Sequence, residues 1–386
     1  MSRLTTAFTP GLLIILFLAC HHPQPTNSVL SFSTKSAPYW DQVFKRTSGW
    51  FGGDGIFFIP QEIQGTENKG KQLILFSDTM VGEISDGKLK EGFQMINNSV
   101  AELRKDTLSN NEFQFPIAYD STGTAKSIFP VKLDHANPLE YYWLGDGFQN
   151  KESGKTHIFA YRVIDRPELK EALFKFEVLG GALITLPAES QYPYEIQVQK
   201  ELPFFRNKGN GTTSFGAGIL ADVPGEDEYV YVYGVRDPGK QLIAARVNLK
   251  EFTDFSEWAF YAGGSWSNNF EDCVSITDSV SNELSVSPLP NGQFALVFQI
   301  NGIQPQVGLR LGISPVGPFG PTKEIWDCSE ALEEPEFFAY NAKAHPSISS
   351  SDELIISYNV NSFKFWDQIN DHPQLYRPRF FILSWK

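Results

Sequence analysis

Short apolar stretches bounded by glycine, asparagine, aspartate or proline recur along the chain from Trp50 to its end. Trp50-Phe51-Gly52-Gly53-Asp54-Gly55 leads into the apolar run Ile56–Ile59, and Gln72–Thr79 follows as a second strand. The same order returns with Trp143–Gly147 and His157–Tyr161, then Phe215–Leu220 and Tyr229–Gly234. It returns again with Asn282–Ser287 and Phe294–Phe298, then Tyr340–Pro346 and Leu354–Tyr358. Each unit has room for four short strands and their turns, the size of a propeller blade. The pattern predicts an all-β protein, a single five-bladed β-propeller over residues 40–386. The first strand of each unit would line the central axis, so side chains at its start would converge. A pair of β-sandwich domains is the alternative, although no Pro- or Ser-rich linker marks a boundary for it. No long segment carries a helical period, and Pro167–Leu173 is the best short helix candidate.

The first residues follow another pattern. Arg3 precedes the apolar run Gly11–Ala19, which is too short to span a bilayer but suits the core of an export signal. Ala19 stands directly before Cys20, and this resembles the lipobox of bacterial lipoproteins. The reading is a signal peptide over residues 1–19, lipidation at Cys20 and a polar, Pro-containing tether over 20–39. An ordinary secretory signal is the alternative. The protein is therefore expected in the bacterial cell envelope, periplasmic or at the cell surface, held to the membrane by a lipid anchor alone.

Composition sharpens this picture. Aromatic residues make up 14% of the chain and favour strands, while 31 glycines and 24 prolines supply the punctuation. The net charge of −13, with no basic cluster, excludes nucleic acid as a partner, because phosphate contacts need Lys and Arg. An uncharged polysaccharide or oligosaccharide fits this balance, and a monomer is expected. With Cys20 lipidated, Cys273 and Cys328 remain, either bonded or as two buried thiols. No Cys/His spacing resembles a zinc site.

Three acids are placed for chemistry. Asp54 lies between glycines, where backbone and ligand can approach closely. Asp78 ends the apolar strand Leu73–Phe76, and Glu283 begins the fourth unit at the expected axis. Each also has a bland reading as a turn or loop acid. Asp146 occupies in unit two the place Asp54 holds in unit one, which makes the Gly-Asp-Gly turn look architectural. Carboxyls crowded on one axis are what glycoside hydrolysis needs, since one protonates the leaving oxygen and another activates water or attacks the sugar. Asp54, Asp78 and Glu283 are the catalytic candidates. Trp50, Asn97, Asn98, Asp146, His345 and Tyr358 are candidates for substrate contact, and Trp143 and Trp266 offer further stacking faces. The sequence lacks a Gly-x-Ser-x-Gly elbow, a Walker loop and a His-Glu-x-x-His motif.

Trp50–Gly55, Leu75-Phe76-Ser77-Asp78-Thr79 and Met95-Ile96-Asn97-Asn98-Ser99 resemble the opening of the domains of unknown function DUF4185 and DUF5005. Tyr229–Gly234, Ala245-Arg246-Val247 and Ser357–Asn361 are similar to those families as well, so the resemblance covers residues 40 to 386. It implies a five-bladed propeller of the arabinanase type. Part of the first family is classed as glycoside hydrolase family 183, which cuts D-arabinan, and its paired aspartates match Asp54 and Asp78. In the wider arabinanase-like propellers, a base Asp of the first blade and an acid Glu of a later blade match Asp54 and Glu283. The two likenesses differ on the second carboxylate. They imply a cell-envelope hydrolase of a furanose-rich polysaccharide such as arabinan, the alternative being a non-catalytic glycan-binding lipoprotein. No motif demands a metal or cofactor, although the arabinanase likeness is compatible with a calcium ion on the axis.

Overall fold

The computed structural model describes residues 30–61, 71–103, 112–169, 174–209, 211–221, 223–226 and 228–386. Cys20, the expected signal and residues 20–29 of the tether lie outside the described residues, as do residues 170–173 of the helix candidate. The second half of the expected tether is instead structured, with Phe32–Ser36 a strand paired to Arg379–Trp385 and Pro38 opening a helix. At its other end, Pro167 and Glu168 form a turn closed by the Leu169 N–H on the Arg166 carbonyl.

The described chain is all-β, with short α-helices only at Pro38–Val43 and Phe365–Gln368. Five antiparallel sheets succeed one another along it. The first holds Phe57–Pro60, Gln72–Phe76, Ser99–Leu103 and Phe113–Gln114. The second holds Tyr141–Gln149, Thr156–Asp165, Phe176–Leu186 and Val198–Leu202. Thr212–Leu220, Tyr229–Arg236 and Gln241–Asn248 are the centre of the third. The fourth runs from Leu284–Pro288 to Lys323–Asp327. The fifth joins Phe337–Ala344, Glu353–Ser362 and Arg379–Trp385 to strand Phe32–Ser36, so the first and last strands of the described residues share one sheet.

Packing orders the sheets. Strand Phe57–Pro60 packs on Tyr141–Gln149, that strand on Thr212–Leu220, and that one on Leu284–Pro288. Leu284–Pro288 packs on Phe337–Ala344, and the turn Pro346–Ile348 after it returns to Phe57–Pro60. Separate apolar clusters fill the spaces between successive sheets, for example Leu75, Leu144 and Ile158 between the first two. Ile355 and Phe380 of the fifth sheet join Ile74 and Phe76 of the first in another. Sheets covered on both faces need apolar residues on both faces. Gln72–Phe76 and Phe294–Gln299 are accordingly buried at every position, which is why the strands read as unbroken apolar runs rather than alternating ones.

The first unit differs from its sequence reading in one respect. Ser48–Gly53 is not a strand of the first sheet. It pairs with Thr79–Ser85 in a separate ribbon, and Asp54 and Asp78 sit where the chain passes between ribbon and sheet.

Candidate functional site

Two backbone hydrogen bonds lock Asp54 beside Asp78. The Asp54 N–H donates to the Asp78 carbonyl at 3.2 Å, and the Ser77 N–H donates to the Asp54 carbonyl at 2.8 Å. Gly55 makes this approach possible, with φ at +63° and room only for hydrogen where a Cβ would lie 2.7 Å from Ser77 Oγ. Asp54 Oδ2 accepts the hydroxyls of Tyr340 and Tyr376, each at 2.9 Å. Its Oδ1 is buried with no protein partner. Burial pushes the Asp54 carboxyl up to about 6, while the hydroxyls of Tyr376 and Tyr340 and the charge of Lys343 hold it down.

Asp78 accepts the Trp143 indole N–H on Oδ1 at 2.8 Å and a hydrogen bond from the Asn97 side chain. Burial, and after it the charge of Asp54, raise the Asp78 carboxyl well above its ordinary value. The Ser77 hydroxyl accepts from the Leu144 N–H at 2.8 Å, tying this corner to the first strand of the second sheet.

Asp146 lies in a bulge, where register shifts between Leu144 and Gly147, and not in a turn. Its Oδ1 accepts the Gly147 N–H at 2.8 Å and its Oδ2 the Ile219 N–H at 2.7 Å, which bridges the second and third sheets. Burial raises its carboxyl to about 7 against those two amides and Lys343. Glu283 precedes strand Leu284–Pro288, and its Oε2 is ion-paired with the Lys343 ammonium. Burial pushes Glu283 up to about 7, opposed by Lys343 and assisted by the charges of Asp54 and Asp146. Tyr161 of the second sheet feels both Glu283 and Asp146, which together with burial hold its hydroxyl protonated.

The structure thus brings Asp54, Asp78, Asp146 and Glu283 into one electrostatically linked cluster, with Asn97 and Trp143 at Asp78. The remaining substrate-contact candidates are placed elsewhere. Trp50 has no exposed surface and packs on Phe44, Phe76 and Phe115, so its faces are already covered. Asn98 is fully buried and brackets Phe129 and Tyr142 through three backbone hydrogen bonds, a structural role. His345 is buried on Phe58 with Nε2 at 2.7 Å from Ser357 Oγ, and burial drives its pKa well below the usual value, so it is neutral. Tyr358 belongs to the apolar cluster between the fourth and fifth sheets. Trp266 stacks under the Arg246 guanidinium in the third sheet. Cys273 and Cys328 are free thiols buried in different apolar clusters, which answers the pairing question.

Sequence reading missed Lys343, Tyr340, Tyr376 and Tyr161. Lys343 left a signal of the kind that singled out Glu283, a charge in the apolar opening of a unit. Among the described residues no group of three or more His, Cys, Asp and Glu side chains is arranged to hold a metal ion. The cation among the carboxyls is the Lys343 ammonium.

The family model described as Domain of unknown function (DUF5005) matches residues 38–385. The chain belongs to this family. A supposed hydrolase from Bacteroides ovatus has the same fold, with a TM-score of 0.72 at 19% identity over 91% of this chain and 90% of that one. The α-L-arabinofuranosidase of Podospora anserina, solved with cellotriose, gives a TM-score of 0.42 at 11% identity, covering 88% of this chain and 97% of that one. The exo-β-1,3-galactanase of Phanerochaete chrysosporium, solved with β-1,3-galactotriose, gives 0.46 at 10% identity, covering 92% of this chain and 64% of that one. No curated protein matches the sequence.

Proposed function

We propose that this DUF5005 protein is a glycoside hydrolase, built as a five-bladed propeller whose blades are the five successive sheets. One observation carries the catalytic reading. Asp54 and Asp78 are held side by side by two backbone hydrogen bonds, both buried, which raises both carboxyls. They are solvated differently: Asp54 accepts two tyrosine hydroxyls on Oδ2 and keeps Oδ1 without a protein partner, whereas Asp78 accepts the Trp143 indole N–H. A carboxylate beside a carboxylic acid is the pair that glycoside cleavage uses. Asp78 gives its proton to the glycosidic oxygen as the bond to the anomeric carbon breaks. Asp54 acts through its unpartnered Oδ1, as base toward the attacking water or as nucleophile. Glu283 is the second candidate for the acid, held back by its ion pair with Lys343. The hydrolase designation of the Bacteroides ovatus relative accords with this reading.

The likeness of Trp50–Gly55 and Leu75–Thr79 to the D-arabinan-cutting family supports a furanose-rich substrate such as arabinan. The apolar run before Cys20 supports a lipid-anchored protein of the cell envelope. Residues 40–386, with strand Phe32–Ser36 completing the fifth sheet, act as one domain and as a monomer in this reading.

The test is release of reducing ends from plant and bacterial arabinans by the mature protein and its Asp54→Asn, Asp78→Asn and Glu283→Gln variants. Loss of roughly a hundredfold or more is expected for the first two. Unchanged rates in both would remove the pair, and a loss confined to Asp54→Asn and Glu283→Gln would move the acid to Glu283. Saturable binding without release would favour the glycan-binding lipoprotein.

A further inference from the structure

An unbroken chain of aromatic rings runs from one aspartate of the pair to the other over the outside of the site. It starts at Trp143, whose indole donates to Asp78. Trp143 meets Phe176 with centroids 4.5 Å apart, and Phe176 meets Phe174 at 5.8 Å. Phe174 reaches both Phe338 and Phe363 at 6.4 Å. Phe363 stacks on Phe338 at 4.5 Å, and Phe338 meets Tyr340 at 5.4 Å. Tyr340 closes the arc by donating its hydroxyl to Asp54. Phe174 and Phe176 belong to the second sheet's hairpin, whereas Phe338, Tyr340 and Phe363 belong to the fifth. Rings of the second and fifth sheets therefore meet, and their two ends reach Asp78 and Asp54.

Two members of this arc are poorly buried. Phe174 is 43% exposed and Phe363 45%, while Phe338 beneath them is 6% exposed. Phenylalanine has no polar tip to justify exposure, and apolar rings gathered at the rim of a polar site mark a binding surface. Phe363 is stacked on the buried Phe338, so little of its freedom is lost when a ligand covers it. Their faces offer no charge and no hydrogen bond. They suit the C–H face of an uncharged sugar, and the acidic cluster beside them disfavours an anionic one.

We propose that Phe174 and Phe363 form a stacking subsite for a sugar unit beyond the bond that is cut, so that the substrate is an uncharged oligosaccharide or polysaccharide rather than a simple glycoside. This rests on the hydrolase reading for the identity of the neighbouring site. The subsite holds the chain as it enters, and the arc carries it to the two carboxyls.

Affinity electrophoresis in gels containing arabinan, xylan or β-1,3-galactan tests this independently of hydrolysis, with wild type, Asp54→Asn, Phe363→Tyr and the Phe174→Ala/Phe363→Ala double variant. Wild type and Asp54→Asn are expected to be retarded by at least one polymer. The double variant should bind roughly tenfold more weakly, because both stacking rings are gone. Phe363→Tyr, which keeps a ring face, should bind as wild type. Equal retardation of the double variant and wild type, or no retardation of wild type by any polymer, would overturn the proposal. Retardation without any hydrolysis would sink the catalytic reading and leave the subsite standing.

Discussion

The Lys343 ammonium and the Glu283 carboxylate form an ion pair with almost no access to water, the two side chains being 2% and 12% exposed. Lys343 Nζ also donates to the Asn341 carbonyl at 3.2 Å and lies 4.5 Å from the centre of the Phe57 ring. Its charge favours the ionised forms of Glu283, Asp54 and Asp146 together. A cluster of four carboxyls without this cation would hold its protons more strongly, and Asp54 would reach its carboxylate form only at higher pH.

Lys343→Met should therefore do two things. It leaves Glu283 buried without its partner, which lowers stability by about 3–5 kcal/mol in a denaturant titration. It also moves the acidic limb of the pH–rate profile to higher pH, because Asp54 loses a charge that favours its ionisation. Lys343→Arg keeps the charge and should keep the limb near its wild-type position. An unmoved limb in Lys343→Met would show that Lys343 is a packing residue only.

Tyr340 and Tyr376 act on Asp54 by position, since both hydroxyls end on one oxygen. Removing either donor weakens the carboxylate relative to the acid, by about 1.5–3 kcal/mol for a hydrogen bond to a charged group. Tyr340→Phe and Tyr376→Phe should each raise the acidic pKa of kcat/KM above that of wild type, and the double variant should raise it further. A fall in rate with no movement of that pKa would assign the tyrosines to substrate contact instead.

The sequence made the strands legible because sheets covered on both faces force apolar residues at every position, as in Gln72–Phe76. It made Asp54, Asp78 and Glu283 legible because a charge at the end of an apolar run has few structural reasons to be there. Trp50 misled for a physical reason. Its indole looks like a sugar platform in one dimension, yet the ribbon Ser48–Gly53 turns it into the apolar space under the first sheet. Tyr376 lies in a loop without periodicity, and only the third dimension brings it to Asp54, so no spacing could point to it. Asp146 and Lys343 both sit at strand bulges, a one-residue irregularity that re-aims a side chain and that an apolar pattern does not record.

Asp78 makes stability depend on pH in a defined direction. Its folded carboxyl keeps a proton well above the ordinary value of 3.8, mainly through burial. Above that value the unfolded chain has lost the proton and the folded chain still holds it, so stability falls as pH rises until the folded group also ionises. Asp78→Asn removes the titration and can still accept from Trp143. Its melting temperature relative to wild type should therefore rise as pH increases from the ordinary carboxyl value of 3.8 toward neutrality, as read by calorimetry. A constant difference across that range would mean that Asp78 is ionised throughout.

Gly55 tests whether the geometry of the pair matters apart from its chemistry. Gly55→Ala places a methyl group 2.7 Å from Ser77 Oγ in a backbone held at φ +63°. The left-handed conformation alone costs an L-residue about 1–2 kcal/mol, and the clash must be relieved by moving Ser77. Ser77 is bonded through its backbone N–H to Asp54 and through its hydroxyl to Leu144, so any relief separates Asp54 from Asp78 or both from Trp143. The variant should fold with lowered stability and lose activity far beyond that loss, with glycan binding at the outer aromatic rings retained. Activity falling only in proportion to the folded fraction would show that the pair tolerates displacement and that its close registration is not what the chemistry requires.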